Sequence, residues 1–238
     1  MNELLSEVVD AHGGIHRWNR FDRLSATIAM DGAFRGMKSL SQDLDPRRLT
    51  VWMHEQRAVI KPFGDPDWHC EFSPTRVQIS SSNDTIIADR DRPRASFAGH
   101  DKLTPWDPLH LAYFESYALW GYLCTPFLLV AQGVEVSEVA SLEEHDGKWR
   151  CLRAMFPDSV ATHCAIQEFF FGDDGLLRRH DYRIDVAGGF EMAQLAFNYI
   201  DVDGIQLPAK RRVYARQPDR TLSPVPLMSI DIGDIELS

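Results

Sequence analysis

Cysteine is scarce in this sequence. There are four among 238 residues, Cys70, Cys124, Cys151 and Cys164, and none is in the CxxC spacing of a zinc knuckle or a redox pair. The N-terminus, MNELLSEVVDAHGG, carries Glu3, Glu7 and Asp10 where a secretory signal would have a basic segment followed by an apolar one. The thiols are therefore expected to be free, in a reducing, cytoplasmic compartment. Positive charge is also in short supply. Twenty-five basic residues face 35 acidic ones, a net charge of −10, which argues against a nucleic-acid partner or an anionic membrane surface. No HExxH, P-loop, GxGxxG or GxSxG motif occurs. His12 and His16 have the i,i+4 spacing of helical metal ligands, but Gly13-Gly14 separates them. His69-Cys70 has no second pair nearby. No metal and no other cofactor is expected.

Long apolar runs are missing too. The best candidate, Ser116–Val134, carries no formal charge, but Gly121, Pro126 and Gln132 interrupt it, so a buried helical hairpin is expected, not a membrane span. What is present is ordinary globular material, 44% hydrophobic and 25% charged, enough for a substantial core.

The chain is organised around Thr104–Gly133, its longest apolar and aromatic stretch. Asp107 is a good N-cap with Pro108 at the first helical position. Thr125-Pro126 repeats that pair, and Gly133 suits a helix end. A helix over 107–124 and a short one over 126–132 follow. At a helical period, His110, Tyr113, Phe114, Tyr117 and Trp120 form a stripe about 120° wide, with Leu111, Leu119 and Leu123 off it. Such a helix is buried on most sides.

Around it the pattern is β. A helix over 2–12 ends at Gly13-Gly14, and a turn over 15–21 carries Trp18. Strands are expected at 24–30, 34–44, 48–55, 57–62, 68–73, 75–80 and 84–89. A charged loop over 90–103 leads to the central helices. Strands resume at 134–143, 148–156, 162–171, 176–186, 192–202, 205–216 and 226–237, punctuated by Asp146-Gly147, Asp173-Asp174-Gly175 and Asp203-Gly204. The spacing implies sequential antiparallel neighbours. The expectation is an α+β fold in a single domain over 1–238: a large curved antiparallel sheet in two meander halves, with helices inserted mid-chain against its concave face.

Alternation then selects candidate residues. In 176–186, Leu176, Arg178, His180, Tyr182, Ile184 and Val186 share a mostly apolar face, expected inside. Leu177, Arg179, Asp181, Arg183 and Asp185 share a face expected to be solvated. In 205–216, Arg211 falls with Leu207, Ala209 and Val213 and is the inward candidate. In 162–171, with His163, Gln167, Phe169 and Phe171 on one face, both faces are partly apolar and alternation does not choose. A helix stripe packed on the inward residues would give an aromatic-walled pocket. His180, His110, Tyr182 and Arg178 are its candidate chemical groups. Tyr113, Phe114, Tyr117, Trp120 and Arg211 are its candidate ligand-binding wall. Such a pocket suits a small apolar or aromatic molecule with one acidic or carbonyl group.

Three segments carry a family resemblance: AHGGIHRW at 11–18, GLLRRHDYRIDVAGG at 175–189 and DGIQLPAKRRVY at 203–214. With the strand-rich layout around TPWDPLHLAYF at 104–114, the chain resembles the LolA/LolB-like, outer-membrane-lipoprotein-sorting group. The resemblance implies an open half-barrel plugged by helices. The carriers of that group are exported, whereas this N-terminus has no export signal. A similar fold also houses an enzyme of violacein-type pigment biosynthesis, so the resemblance allows catalysis as well. Three functions follow as expectations. The first is a cofactor-independent protein holding a small apolar molecule in the concavity. The second is an enzyme of secondary metabolism doing acid–base or cyclisation chemistry there, with His180 moving protons. The third is an interaction module or homodimer with an inert core.

Overall fold

The structure, a computed structural model, describes residues 2–40, 46–144 and 147–238. Two short helices open the chain, α1 (Glu3–Ala11) and α2 (Ile15–Trp18). Asn2 caps α1 by accepting the Leu5 N–H at 2.7 Å, and Leu4, Leu5, Val8 and Val9 form its buried stripe. The α1–α2 corner rests directly on a hairpin of the sheet. A Cβ at Gly13, where φ is +114°, would lie 2.3 Å from the Gly204 carbonyl oxygen, so only glycine fits that corner.

The first meander is β1 (Arg23–Asp31), β2 (Arg47–Trp52), β3 (Ala58–Lys61), β4 (Trp68–Ser73), β5 (Arg76–Ser81) and β6 (Ile86–Asp91). The helix α3 (Phe34–Met37) lies between β1 and β2. A 3-10 turn, Pro93–Phe97, leads to the central helix α4 (Pro108–Cys124) and a 3-10 turn, Phe127–Val130. The second meander is β7 (Glu135–Glu144), β8 (Gly147–Met155), β9 (Ile166–Phe171), β10 (Leu177–Ile184), β11 (Phe190–Val202), β12 (Ile205–Ala215) and β13 (Met228–Leu237). Every pairing is antiparallel, and β13 pairs with β1, so both halves merge into one sheet of 13 strands ordered 6-5-4-3-2-1-13-12-11-10-9-8-7. The sheet does not close on itself: β6 and β7 are its edges.

Helix α4 fills the concave side. Asp107 accepts the His110 N–H at 2.8 Å, and His110 Nδ1 accepts the Asp107 N–H at 3.2 Å, a reciprocal cap. Every residue from Leu109 to Trp120 is buried. The helix carries one charge inward, Glu115. Its Oε1 accepts from Arg35 Nη2 at 2.6 Å and Nε at 3.1 Å, and its Oε2 from Arg47 Nη1 at 3.0 Å. Among the described residues no helix is long and apolar enough to cross a membrane.

The structure departs from the sequence expectations at several places. The expected strand over 34–44 is helical at Phe34–Met37, and its 41–44 portion lies outside the described residues. The turn tucks Phe34 into a stack on Phe114, 5.1 Å between centroids, and swings Arg35 to Glu115. Strand 162–171 shortens to β9, leaving Ala161–Ala165 as a loop. Strand 176–186 ends at Ile184 and finishes as a 3-10 turn, Asp185–Ala187. The second central helix is a 3-10 turn. The Asp146-Gly147 turn falls partly outside the described residues, since Asp146 is one of those not described.

Candidate functional site

Among the described residues, a groove has the lining of a binding site. It occupies about 600 Å³ between α1–α2, the C-terminal end of α4, the Phe127–Val130 turn and the β8–β9 loop. Val9, Trp18, Trp120, Phe127 and Leu128 form its apolar wall, and Asn19, His54, Gln56 and Ser159 its polar contribution. Trp18 stacks flat on Phe127, 4.2 Å apart and 12° from parallel. Apolar walls with a few polar groups, at this volume, describe a small-molecule pocket. Two other hollows, of about 440 and 450 Å³, have charged linings that include Asp22 and Arg23 in one and Arg153, Arg183 and Arg216 in the other.

A bridge crosses beside the groove. Gln56, in the β2–β3 turn, donates to the Ala161 carbonyl at 2.7 Å and accepts the Ala161 N–H at 2.8 Å. This amide pair ties the first half of the sheet to the β8–β9 loop of the second. Trp120 fastens the same turn, its indole N–H donating to the Trp52 and Glu55 carbonyls at 2.8 and 3.0 Å. Arg94 adds a bond to the Thr162 carbonyl at 2.8 Å.

Deeper inside lies a cluster of tyrosines and histidines. The Tyr122 hydroxyl meets His163 Nε2 at 2.8 Å and the Tyr182 hydroxyl at 2.9 Å, while Tyr117 meets His163 Nδ1 at 3.3 Å. Tyr182 stacks on the His163 ring at 4.0 Å, and His180 stacks on Phe169 at 4.2 Å. His180 Nε2 is bonded to Gln167 Oε1 at 2.6 Å. Arg211 crosses the concave face from β12, donating to Gln194 Oε1 and to the Tyr122 carbonyl, both at 2.6 Å.

The electrostatics of the cluster are those of a dry interior. Burial, then the nearby Arg94 charge, holds the His163 imidazole down to about 3. Burial also pulls His180 well below the ordinary histidine range, with His163 and Arg211 acting in the same direction. The Tyr122 phenol is pushed up to about 12 by burial. At neutral pH these rings are uncharged. An acid–base catalyst works best with a pKa near the working pH, so the cluster is better suited to packing and hydrogen bonding than to moving protons. All four cysteines are buried and free. Burial raises the Cys70 thiol to about 12 and the Cys164 thiol to about 11, so neither offers a thiolate at neutral pH. Among the described residues no three His, Cys, Asp or Glu side chains are grouped to hold a metal.

Of the residues picked out in the sequence, His180, Tyr182, Tyr117 and Arg211 meet around Tyr122 and His163. Tyr113 and Phe114 adjoin them, 5.2 and 5.5 Å from Tyr117. Trp120 belongs to the groove. Two candidates lie elsewhere. His110 sits at the start of α4 beside His100 and Phe97, with centroids 4.9 and 4.6 Å away. Arg178 is 27% exposed and pairs with Asp174. The reason is a bulge in β10: Leu177 faces Phe171 and Arg179 faces Phe170, leaving Arg178 out of register. The face expected to be solvated is partly closed, because Arg179 and Asp181 are both buried. They form an ion pair at 2.6 Å, and the Arg220 carbonyl accepts a bond from Arg179.

Sequence reasoning passed over Tyr122 and Gln194, weighed His12 only as a metal ligand, and left His163 undecided. Tyr122 is five residues after Tyr117, which at about 100° per residue turns it off the aromatic stripe. His163 precedes β9 in a loop, where alternation carries no information.

No protein-family model and no curated protein sequence matches the chain. Solved structures do. One is a LolA superfamily protein from Nitrosomonas europaea, with a TM-score of 0.55 and 8% identity, covering 98% of this chain and 92% of that one. Another is an outer membrane lipoprotein-sorting protein domain from Vibrio parahaemolyticus, with a TM-score of 0.54 and 11% identity, covering 99% and 91%. Likeness at these identities speaks to architecture and not to chemistry. The open antiparallel sheet around an inner helix is the LolA-like half-barrel fold.

Proposed function

We propose that the protein holds a small, elongated apolar molecule in the groove between its N-terminal helices and the end of α4. The observation that carries this is the groove itself, about 600 Å³ and walled by Trp18, Trp120, Phe127 and Leu128. Burying an acyl chain of this size against such walls releases about 25 cal/mol per Å² of apolar surface. The Vibrio parahaemolyticus domain is named for sorting outer membrane lipoproteins, and a cargo with an apolar chain is in keeping with the lining seen here. The Gln56–Ala161 pair would then act as the latch over the bound molecule. No step of this reading needs a cofactor.

The groove contains its own reporters. Trp18 and Trp120 form part of its wall, so a fatty acid carrying a nitroxide quencher on its chain should reduce tryptophan emission saturably. Leu128→Lys puts a charge in the wall and should weaken that quenching about tenfold or more. Absence of saturable quenching in the wild-type protein, or quenching unchanged in Leu128→Lys, would sink the proposal.

A further inference from the structure

Arg211 is a cation in the wrong place for a structural residue. It is 1% exposed, and among the described residues no carboxylate bonds it or forms an ion pair with it. Its hydrogen-bond partners are neutral, the Gln194 amide oxygen and the Tyr122 carbonyl, and its guanidinium lies 5.2 Å from the centroid of the Tyr122 ring. Three tyrosines, Tyr199, Tyr122 and Tyr182, lie near it, and burial keeps their phenols neutral at neutral pH. The other buried arginines are treated differently: Arg35 and Arg47 face Glu115, and Arg179 faces Asp181. A buried guanidinium without an anion is strongly disfavoured unless one arrives.

The hydrogen bonds around Arg211 are incomplete in the same sense. Its Nε–H is buried and has no acceptor. The amide nitrogen of Gln194, the residue that already bonds the guanidinium, is a second buried donor, facing no acceptor but the Tyr122 hydroxyl that His163 and Tyr182 already engage. His12 Nε2 is buried without a partner too, but it is an acceptor and not a donor, because the ring proton is on Nδ1. Its Nδ1 donates to the Val8 carbonyl at 2.7 Å. Burial holds its imidazole neutral down to about 4, with Arg211 contributing, so it does not add charge at neutral pH. Two unmatched donors around one unmatched positive charge describe a receptor for an anion.

The position connects this receptor to the groove. Val9 and Cys124 line the groove. His12 lies one turn beyond Val9 at the end of α1, and Tyr122 lies two residues before Cys124 in α4. The two segments that wall the groove thus also carry two of the residues around Arg211.

We propose that Arg211, with Gln194, binds a small desolvated monovalent anion, either the carboxylate head of an amphiphile whose chain lies in the groove or a free halide. The first source rests on the groove reading and deepens it to an anionic amphiphile. The second stands without it.

The test compares dodecanoate with dodecanol, one chain with and without the charge, by competition against the nitroxide fatty acid. In parallel, the melting temperature is followed as bromide replaces fluoride at constant ionic strength. Both are repeated on Arg211→Met. The headgroup source predicts dodecanoate binding about tenfold or more tighter than dodecanol, a preference that Arg211→Met abolishes while dodecanol still binds. If no chain binds but bromide raises the melting temperature of wild type and not of Arg211→Met, the groove reading fails and the anion site stands on a free halide. Equal binding of acid and alcohol with no bromide effect overturns the site and leaves the groove. Binding of neither chain, with no bromide effect, overturns both. Should Arg211→Met not fold, Gln194→Glu keeps the cation and sets a carboxylate against it where the amide oxygen now lies. It should then reduce the wild-type preference several-fold, and an unchanged preference overturns the site.

Discussion

Glu115 is a carboxylate cut off from water, and its ionisation depends on two guanidinium groups from other elements. Burial alone would raise its pKa, but the facing Arg47 and Arg35 outweigh burial and hold it below the usual carboxylate range. Stability from the ionised form is complete above the ordinary glutamate pKa of about 4.3 and is lost as pH falls through the lower folded value. Glu115→Gln is expected to destabilise the protein by about 3 to 5 kcal/mol in urea unfolding at neutral pH, because the arginines lose a buried counter-charge. The buried histidines act in a different window. His163 and His12 are held at about 3 and about 4, well under the unfolded value of about 6.5. Between those limits the unfolded chain takes up protons that the native chain refuses, so stability falls as pH drops. The slope is up to about 1.4 kcal/mol per pH unit for each histidine. Urea unfolding at about pH 7.5, 6 and 5 should show this loss, and His163→Asn should make it shallower. A slope identical in both proteins would remove His163 from the account. Residues were the scale at which the sequence was least legible. Alternation placed His180, Tyr182 and Arg211 correctly inside, yet it is a rule about regular strands, and a one-residue bulge turned Arg178 to a half-buried position beside Asp174.

Elements were easier to read because their signals are local. Asp107-Pro108 announces the start of α4, and the structure begins the helix at Pro108 with Asp107 as its cap. Asp107 also accepts two bonds from Arg90, at 2.6 and 3.2 Å. Asp107→Ala is therefore expected to lower stability by about 1 to 2 kcal/mol. Asp107→Asn, which keeps a capping oxygen, should lose less than about 1 kcal/mol, the worth of a partly exposed ion pair. Chemical denaturation of both variants separates the cap from the charge. If the two lose equally, the cap contributes nothing beyond the ion pair. The strand after β1 was misread for a tertiary reason. Phe34–Met37 can be drawn as a strand, but Phe34 has Trp106 and Phe114 to pack on and Arg35 has Glu115 to reach, and a helical turn satisfies all of these together.

On the scale of the whole molecule, turn spacing implied sequential antiparallel strands, and the resemblance implied a half-barrel. Neither said where the two meanders meet. That junction, β1 against β13, depends on contacts between residues such as Leu24 and Leu237, which no local pattern encodes. The groove was hidden for the same reason: Val9 and Trp18, Trp120, and Val160 come from three distant segments. The Gln56–Ala161 bridge joins the halves a second time. Gln56→Ala should cost about 1 to 2 kcal/mol for two lost hydrogen bonds, and it should speed both entry and exit of a quencher-labelled fatty acid in stopped-flow fluorescence. Exchange rates unchanged in that variant would deny the bridge any role as a latch.

The β1–β13 pairing has a further consequence, during synthesis. While β13 is still inside the ribosome, β1 and β12 each lack the neighbour that separates them in the finished sheet. A nascent chain in that condition offers two unpaired inner borders, each capable of pairing with another copy. Polysomes translating this message would therefore be expected to depend on chaperones until the central strand emerges and brings the two borders together.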